Sequence, residues 1–122
     1  MTAPPPGAAR RTRMADTLAR VAADFRRELP ARLAQAQALS SACRDAPGDD
    51  DALQALHRLL HSLAGTAGTL GLDAVGQAAR AGELAAQALR QRADRSAQDF
   101  GPLQRCVDDL AARVRAACAP PD

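Results

Sequence analysis

The sequence predicts an all-α protein, an antiparallel four-helix bundle of up-down-up-down connectivity with a disordered N-terminal tail. The chain of 122 residues has room for one domain and contains 31 alanines and 15 leucines. Valine occurs four times, isoleucine is absent, and the aromatic residues are Phe25 and Phe100, so the side chains that favour β-sheets are scarce. Apolar residues also recur at helical spacing in four segments separated by short breaks. An alanine-rich core of this kind suits closely packed helices and leaves no room for a large enclosed substrate cavity.

The first predicted helix follows the tail. Residues 1–15 hold three consecutive prolines, a glycine and then arginines, which is typical of disordered chain, and the predicted bundle covers residues 16–118. Asp16 is a suitable N-cap. From there the apolar side chains recur every three to four residues, at Leu18, Val21, Phe25, Leu29, Leu33, Ala36, Leu39 and Cys43. Pro30 should kink this helix or divide it in two, and an acidic loop at residues 45–50 ends it.

Three further helices follow, each bounded by a break. The second runs from about Asp51 to Gly68, and the third lies near residues 72–91. The fourth has Pro102 in its first turn, where the missing N–H costs little. The apolar seams of the three helices are Leu53, Leu56, Leu60, Leu63, Ala67 and Leu70, then Leu72, Val75, Ala79, Gly82, Ala86 and Leu89, then Leu103, Val107, Leu110, Val114 and Ala117.

Charge and composition exclude several classes of function. The chain has 16 arginines and no lysine against 14 acidic residues, and residues 16–122 carry 13 arginines and 14 carboxylates, a net charge of −1. A domain that binds phosphate backbones shows a basic face and stacking aromatic residues, so no nucleic-acid partner is predicted. The sequence has neither the apolar run of a signal peptide nor a segment apolar enough to span a membrane. Three widely spaced cysteines (Cys43, Cys106 and Cys118) predict buried, reduced thiols in a cytoplasmic protein.

The two histidines, His57 and His61, stand four residues apart on the second predicted helix. At 100° per residue both lie off the leucine seam, and His61 is about 130° from the centre of the seam. Beside His61 the helix surface is bare, because Gly65 and Gly68 have no side chain and Ala64 has a single side-chain carbon. A glycine inside a helix costs about 1 kcal/mol relative to alanine. Two of them next to an exposed histidine therefore indicate that another surface approaches there.

Other interpretations of these residues stay open. Glycines in an alanine-rich bundle can simply allow close helix packing, which suits Gly82 on the core seam better than Gly65 or Gly68. His57 can be an inert surface residue. A helical His-x-x-x-His pair can bind zinc, but a structural site needs four ligands and a catalytic site three. No cysteine or glutamate adjoins the pair, so no metal site is predicted.

Residues 61–72 read His-Ser-Leu-Ala-Gly-Thr-Ala-Gly-Thr-Leu-Gly-Leu. This run resembles the signature of histidine-containing phosphotransfer (HPt) domains, in which His-x-Leu-Lys-Gly precedes a small residue and a glycine shortly before the next helix. Further family positions map onto Val75, Ala79 and Gly82-Glu83. The resemblance covers about residues 16–118 and implies a four-helix domain.

The resemblance implies that His61 accepts a phosphoryl group from a receiver-domain phospho-aspartate and hands it to another receiver. A histidine side chain, with a pKa of about 6.5, is largely neutral in the cytosol and keeps a lone pair for attack on phosphorus. Such a phosphoryl carrier is not an enzyme and needs no cofactor of its own, because the receiver supplies Mg²⁺. The implied partners are response-regulator receiver domains and a hybrid sensor histidine kinase, and we expect a cytoplasmic monomer. The implied docking face around His61 consists of His57, Arg58, Ala64, Gly65 and Gly68.

One position departs from the family pattern. The family's lysine, three residues after the histidine, is Ala64 here. Two arginines can substitute for its charge beside a phosphoryl group: Arg58, three residues before His61, and Arg80 on the next helix. The alternative interpretation is a non-catalytic module that binds a receiver or a kinase and has lost phosphotransfer.

Overall fold

Four α-helices and one short 3₁₀ helix form the structure. A computed structural model describes residue 5 and residues 7–120 of the chain. Its elements are α1 (Ala8–Asp45), α2 (Asp50–Thr69), α3 (Asp73–Arg90), the 3₁₀ helix Ala97–Phe100 and α4 (Gly101–Cys118). The described residues contain no strand, and the prediction of an all-α four-helix bundle is confirmed. None of the described helices combines the length and the apolar character that crossing a membrane requires.

Short connections make consecutive helices antiparallel. Four residues join α1 to α2, and three join α2 to α3. Helices α1 and α4 are also antiparallel, because they meet at two well-separated points. Ser40 Oγ donates a hydrogen bond to Gln104 Oε1 at 2.9 Å, and Cys118 Sγ lies 3.5 Å from the backbone oxygen of Arg26. The helices therefore follow the predicted up-down-up-down order.

Local chemistry defines both ends of α2, the helix that carries the two histidines. The side chain of Asp49 accepts hydrogen bonds from the backbone N–H groups of Asp51 and Ala52, at 3.0 and 3.2 Å. This cap satisfies donors that the first helical turn leaves without partners. At the other end Gly71 has a φ of 78°, a left-handed conformation that glycine adopts without strain. The chain can therefore turn directly into α3.

The core is thin, and glycines let its helices approach each other closely. A Cβ atom at Gly82 would lie 3.1 Å from Cδ1 of Leu60, and one at Gly76 would lie 3.3 Å from the backbone nitrogen of Gly68. The close-packing interpretation therefore holds for Gly82. Phe100, in the 3₁₀ helix, is fully buried although it lies in none of the predicted seams. The other largest fully buried side chains follow the predicted seams and are Leu29, Leu53, Leu56, Leu60, Leu63, Leu103, Leu110, Val75, Val107 and Cys43.

Helix α1 begins earlier than predicted. Residues 1–4 and 6 of the predicted disordered tail lie outside the described residues, but residues 8–15 form the first turns of α1, and the prediction is corrected there. Alanine, arginine and methionine dominate these turns and are strong helix formers. Asp16 consequently lies inside the helix and is not its N-cap. Leu18 and Val21 are exposed instead of buried, because α1 is 18 residues longer than α2 and runs past it.

Pro30 does not divide α1, which continues through it as one helix. A proline cannot donate a hydrogen bond to the backbone oxygen four residues earlier, here that of Arg26. The thiol of Cys118, a weak donor, lies 3.5 Å from this oxygen and replaces part of the missing bond. The three cysteines are free; Cys43 is buried, Cys106 is half-buried and Cys118 is exposed. The prediction of buried thiols is therefore confirmed for Cys43. It is wrong for Cys118, which contacts the backbone oxygen of Arg26 at the surface.

Arg95 connects the loops at the end of the bundle where α2 begins. Its side chain is 5% exposed and pairs with the carboxylate of Asp50. The guanidinium also donates hydrogen bonds to the backbone oxygen of Pro47 at 2.8 Å and to that of Leu89 at 3.3 Å. One buried arginine therefore joins the connection before α2 to the end of α3.

Candidate functional site

His61 projects from the solvent-facing side of α2. Its side chain is 71% exposed, whereas Leu60 and Leu63 on either side of it are buried. The helical period accounts for this, because the buried leucines form one stripe and His61 lies outside it. The bundle thus supplies a rigid helix that holds an imidazole at the surface.

A buried carboxylate from α3 holds this imidazole. Nδ1 of His61 lies 2.6 Å from Oε1 of Glu83, whose side chain is 9% exposed. The other carboxylate oxygen accepts a hydrogen bond from Arg80 at 3.0 Å. Burial raises the pKa of Glu83, but the hydrogen bonds from His61 and Arg80 outweigh burial and bring the pKa below its ordinary value. Glu83 is therefore ionised at neutral pH.

The ionised carboxylate determines which ring nitrogen of His61 carries hydrogen. A carboxylate can only accept hydrogen bonds, so Nδ1 of His61 is the donor. In the neutral ring Nε2 then keeps its lone pair. Nε2 stands on the side of the ring away from Glu83, and the ring is largely exposed. The site therefore presents one defined nucleophilic nitrogen to an approaching molecule.

His57 has the opposite electrostatic environment. Its Nδ1 atom lies 3.4 Å from a guanidinium nitrogen of Arg90, which can only donate. Burial, and then the positive charge of Arg90, lower the pKa of His57 below its ordinary value. His57 is half-buried. Its Nδ1 atom faces the guanidinium of Arg90, whereas Nδ1 of His61 faces the carboxylate of Glu83. Within the described part of the chain, no group of three His, Cys, Asp or Glu side chains is arranged to hold a metal ion.

Beside His61 the surface of α2 is open. A Cβ atom at Gly65 or at Gly68 would meet no atom within 4 Å, so neither glycine is required for packing inside the bundle. Shallow grooves flank His61 on both sides. One runs between α2 and α1 and includes Val21, and the other runs between α2 and α3 and includes Arg80. The surface beside His61 is therefore accessible to an approaching molecule.

The structure distinguishes the two arginines predicted to substitute for the absent lysine. Arg80 is joined to His61 through Glu83, and it lines the same groove as His61 and the half-buried Ala64. Arg58 is exposed on α2 and has no hydrogen bond or ion pair with another described residue. The site therefore contains Arg80, whereas nothing joins Arg58 to it.

Glu83 is the site residue that sequence reasoning missed. The resemblance to the family maps Glu83 onto a family position but implies no role for its side chain. A signal was present, because Val75, Ala79 and Glu83 follow one another at intervals of four and so share one face of α3. Val75 and Ala79 are buried, so a carboxylate at the next position on that face required a partner. That partner is His61.

Comparison with known protein families identifies a matching family. The model of the Hpt domain family matches residues 20–117. The matched segment begins within α1, ends one residue before the end of α4, and contains both His61 and Glu83. No curated protein and no solved structure matches the chain.

Proposed function

The chain belongs to the Hpt domain family, whose members are phosphocarrier modules of two-component signalling, and we propose that His61 carries a phosphoryl group between receiver domains of a phosphorelay. The observation that supports this most directly is the geometry of His61. Its Nδ1 is bound by the buried Glu83, its ring is exposed, and the neighbouring surface at Gly65 and Gly68 is bare.

Acceptance of the phosphoryl group begins with the lone pair of His61 Nε2. It attacks the phosphorus of a receiver aspartyl phosphate in line with the leaving carboxylate oxygen. The N–P bond forms, the P–O bond of the acyl phosphate breaks, and the receiver recovers its aspartate carboxylate. The Nδ1 proton stays in the hydrogen bond to Glu83, which stabilises the positive charge that develops on the ring.

Transfer to the next receiver reverses these steps. The aspartate carboxylate of the second receiver attacks phosphorus, the N–P bond breaks, and the electron pair returns to Nε2. The receiver brings the Mg²⁺ that neutralises the phosphoryl oxygens, so the carrier contributes position and one fixed hydrogen bond. A hybrid sensor histidine kinase would supply the first receiver. The three free thiols of the chain fit the cytoplasmic location that this exchange implies.

Arg80 is our proposal for the charge that a lysine supplies in the family. Its guanidinium binds Glu83, its side chain is 59% exposed, and it borders the groove beside His61. An arginine at the groove edge can bind a phosphoryl oxygen while the helix backbone stays in place. Ala64 stands where the family has a lysine, and its short side chain leaves space for Arg80 to reach a phosphoryl group on His61.

The test measures phosphoryl exchange with a purified, phosphorylated receiver domain. We expect the unmodified chain to acquire an acid-labile phosphoryl label, His61→Gln to acquire none, and His57→Gln to acquire it normally. These variants are matched, because both histidines lie on α2 and each has one hydrogen-bond partner on α3. A label that survives in His61→Gln and disappears in His57→Gln would contradict the proposal.

A second function is favoured by one observation, the alanine at position 64. Without a cation there, the chain could bind a receiver or kinase through the same face without transferring a phosphoryl group. The same assay separates the two functions. If the unmodified chain binds the receiver but acquires no label, and Ala64→Lys acquires one, the protein is a binding module.

A further inference from the structure

The first part of α1 forms an exposed helix with an uncovered apolar stripe. Residues 9–21 are all exposed, and the side chains of Met14, Leu18 and Val21 are 63%, 52% and 45% exposed. At 100° per residue these three side chains lie within about 60° of one another and in line with Phe25, which is buried. The stripe that packs into the core therefore continues past the point where the other helices cover it.

The length of α1 explains why the stripe is uncovered. Helix α1 has 38 residues and α2 has 20, so an antiparallel pair joined by a short loop leaves about 18 residues of α1, or about 27 Å, beyond the end of α2. The fully exposed part of this overhang, residues 9–21, is called the extension below. Val21 stands where this extension begins and lines a groove together with His61 and Gly65. The apolar stripe is therefore continuous with the surface beside His61.

The extension is also the basic part of the molecule. Residues 9–21 hold four arginines and one acid, Asp16, for a net charge of +3, whereas residues 22–122 hold 12 arginines and 13 acids, for a net charge of −1. Within the described chain no carboxylate forms an ion pair with Arg10, Arg11, Arg13 or Arg20. Their charges are free to attract an acidic surface.

Charge and area argue against two other occupants of the stripe. If two copies of the chain paired through their extensions, two segments with a net charge of +3 each would repel one another. The area that three apolar side chains can bury is also far below the roughly 1,200 Å² of surface that stable interfaces bury. A membrane surface is disfavoured because residues 9–21 contain no aromatic residue, and their apolar stripe runs into the groove beside His61. A protein that docks at His61 fits both the charge and the position.

We infer that the extension of α1 is a second docking element for the receiver domain, with Met14 and Leu18 contacting an apolar patch and the arginines contacting acidic side chains beside it. This inference rests on the proposed function, because the receiver that exchanges a phosphoryl group with His61 is the molecule that reaches the extension. The net charge of +3 on residues 9–21 favours a receiver whose surface beside its docking site is acidic. The extension therefore selects among receivers through contacts that His61 itself does not make.

The charge of the extension is tested in the full chain with Arg13→Gln/Arg20→Gln. The probe is the receiver domain of the source organism that exchanges fastest with the unmodified chain. We expect the second-order rate of exchange to fall roughly three- to tenfold at low ionic strength and its salt dependence to flatten, because charges at an interface rim act on association. The matched control, Arg44→Gln/Arg105→Gln, removes two exposed arginines elsewhere and should exchange at the unmodified rate.

The apolar stripe is tested with Met14→Gln/Leu18→Gln. Glutamine has a helix propensity similar to that of leucine and methionine, and both side chains are exposed, so the helix should persist. We expect binding of the receiver to weaken about tenfold through faster dissociation. Circular dichroism establishes that the helix content of the variant is unchanged.

Phosphoramidate separates docking from the chemistry of His61. In this small donor the P–N bond breaks as Nε2 attacks phosphorus, ammonia leaves, and no docking surface is needed. We expect equal labelling of His61 in the unmodified chain and in both α1 variants. Labelling that falls in parallel with receiver exchange would show a damaged site and overturn the inference.

Each remaining outcome also decides the inference. Exchange at unmodified rates in both α1 variants would overturn the docking element and leave the carrier function intact. Absence of exchange and of labelling in the unmodified chain would overturn both. If receiver exchange is unchanged while Arg13→Gln/Arg20→Gln abolishes binding to phosphatidylglycerol vesicles, the extension binds membranes. If receiver exchange is unchanged while Met14→Gln/Leu18→Gln abolishes a dimer, the extension binds a second copy.

Discussion

Replacing Glu83 by glutamine tests how much the buried carboxylate contributes to phosphotransfer. The substitution keeps the size of the side chain but converts a charge-assisted hydrogen bond to His61 into a neutral one. Hydrogen bonds to charged groups contribute about 1.5–3 kcal/mol and neutral ones about 1 kcal/mol. The difference between the two kinds of bond is therefore about 0.5–2 kcal/mol. Because the His61 side chain is 71% exposed, the loss should lie in the lower half of that range, about 0.5–1 kcal/mol, or a rate about two- to fivefold lower.

The rate of acceptance from a phosphorylated receiver is the first readout, and the tautomer of His61 is the second. In ¹⁵N NMR spectra of the unmodified chain we expect hydrogen on Nδ1, and in Glu83→Gln a larger population with hydrogen on Nε2. A purely structural role for Glu83 would not shift this ratio. Glu28→Gln is the matched control, since it removes a carboxylate that pairs with Arg32 on the surface of α1.

If Glu83→Gln keeps both the unmodified rate and the unmodified tautomer ratio, the Glu83 carboxylate neither orients the His61 ring nor contributes to phosphotransfer. The pH dependence of stability supplies a separate check. The folded pKa of Glu83 lies below its ordinary value of 4.5, so the carboxylate stabilises the fold fully above that value and loses this effect as the pH falls through the folded pKa. The stability difference between the unmodified chain and Glu83→Gln should therefore shrink in acid, as measured by urea unfolding.

Three further predictions follow from the same contacts. Gly65→Ala should raise the free energy of unfolding by about 0.5–1 kcal/mol, because the added Cβ meets no neighbour. Gly76→Ala should lower the free energy of unfolding, because the added Cβ would lie 3.3 Å from the backbone nitrogen of Gly68 on α2. Urea unfolding of both variants measures this difference. Arg95→Ala should cost about 2 kcal/mol in urea unfolding, since two part-buried backbone oxygens lose a charged donor, and a loss below about 0.5 kcal/mol would contradict this. In an NMR titration, His57 should have a pKa below its ordinary value of 6.5, and Arg90→Gln should raise it, because a positive charge is removed; an unchanged or lower pKa in the variant would show that Arg90 is not a cause.

Hydrophobic periodicity was sufficient to predict the bundle. Four of the five leucines of α2 fall on one stripe and are buried, and Leu59, outside that stripe, is half-buried. Periodicity could not predict how far α1 extends, because the same stripe runs through Leu18 and Phe25, and only the lengths of the neighbouring helices decide which of them is covered. Nor could it predict that α1 continues through Pro30, since the thiol near the freed carbonyl comes from the distant Cys118.

Helical periodicity was also sufficient to predict one part of the site, the exposed position of His61. The exposure of His61 follows from its angle to the leucine stripe on a single helix. Its contact with Glu83 depends on the register between α2 and α3, which Gly76 and Gly82 help set by allowing close approach. The spacing of three residues on α3 indicates the pair between Arg80 and Glu83, but nothing local to these two residues indicates that His61 shares the carboxylate. Contacts between helices need the assembled fold.

The central claim is that Nε2 of His61 carries the phosphoryl group. NMR spectroscopy of the ¹⁵N-labelled chain, recorded after phosphorylation by a receiver, tests it most directly because the coupling between ¹⁵N and ³¹P identifies the bonded nitrogen. The account predicts this coupling at Nε2 of His61, with Nδ1 still protonated and hydrogen-bonded to Glu83. Coupling at Nδ1 of His61, or at either nitrogen of His57, would contradict it.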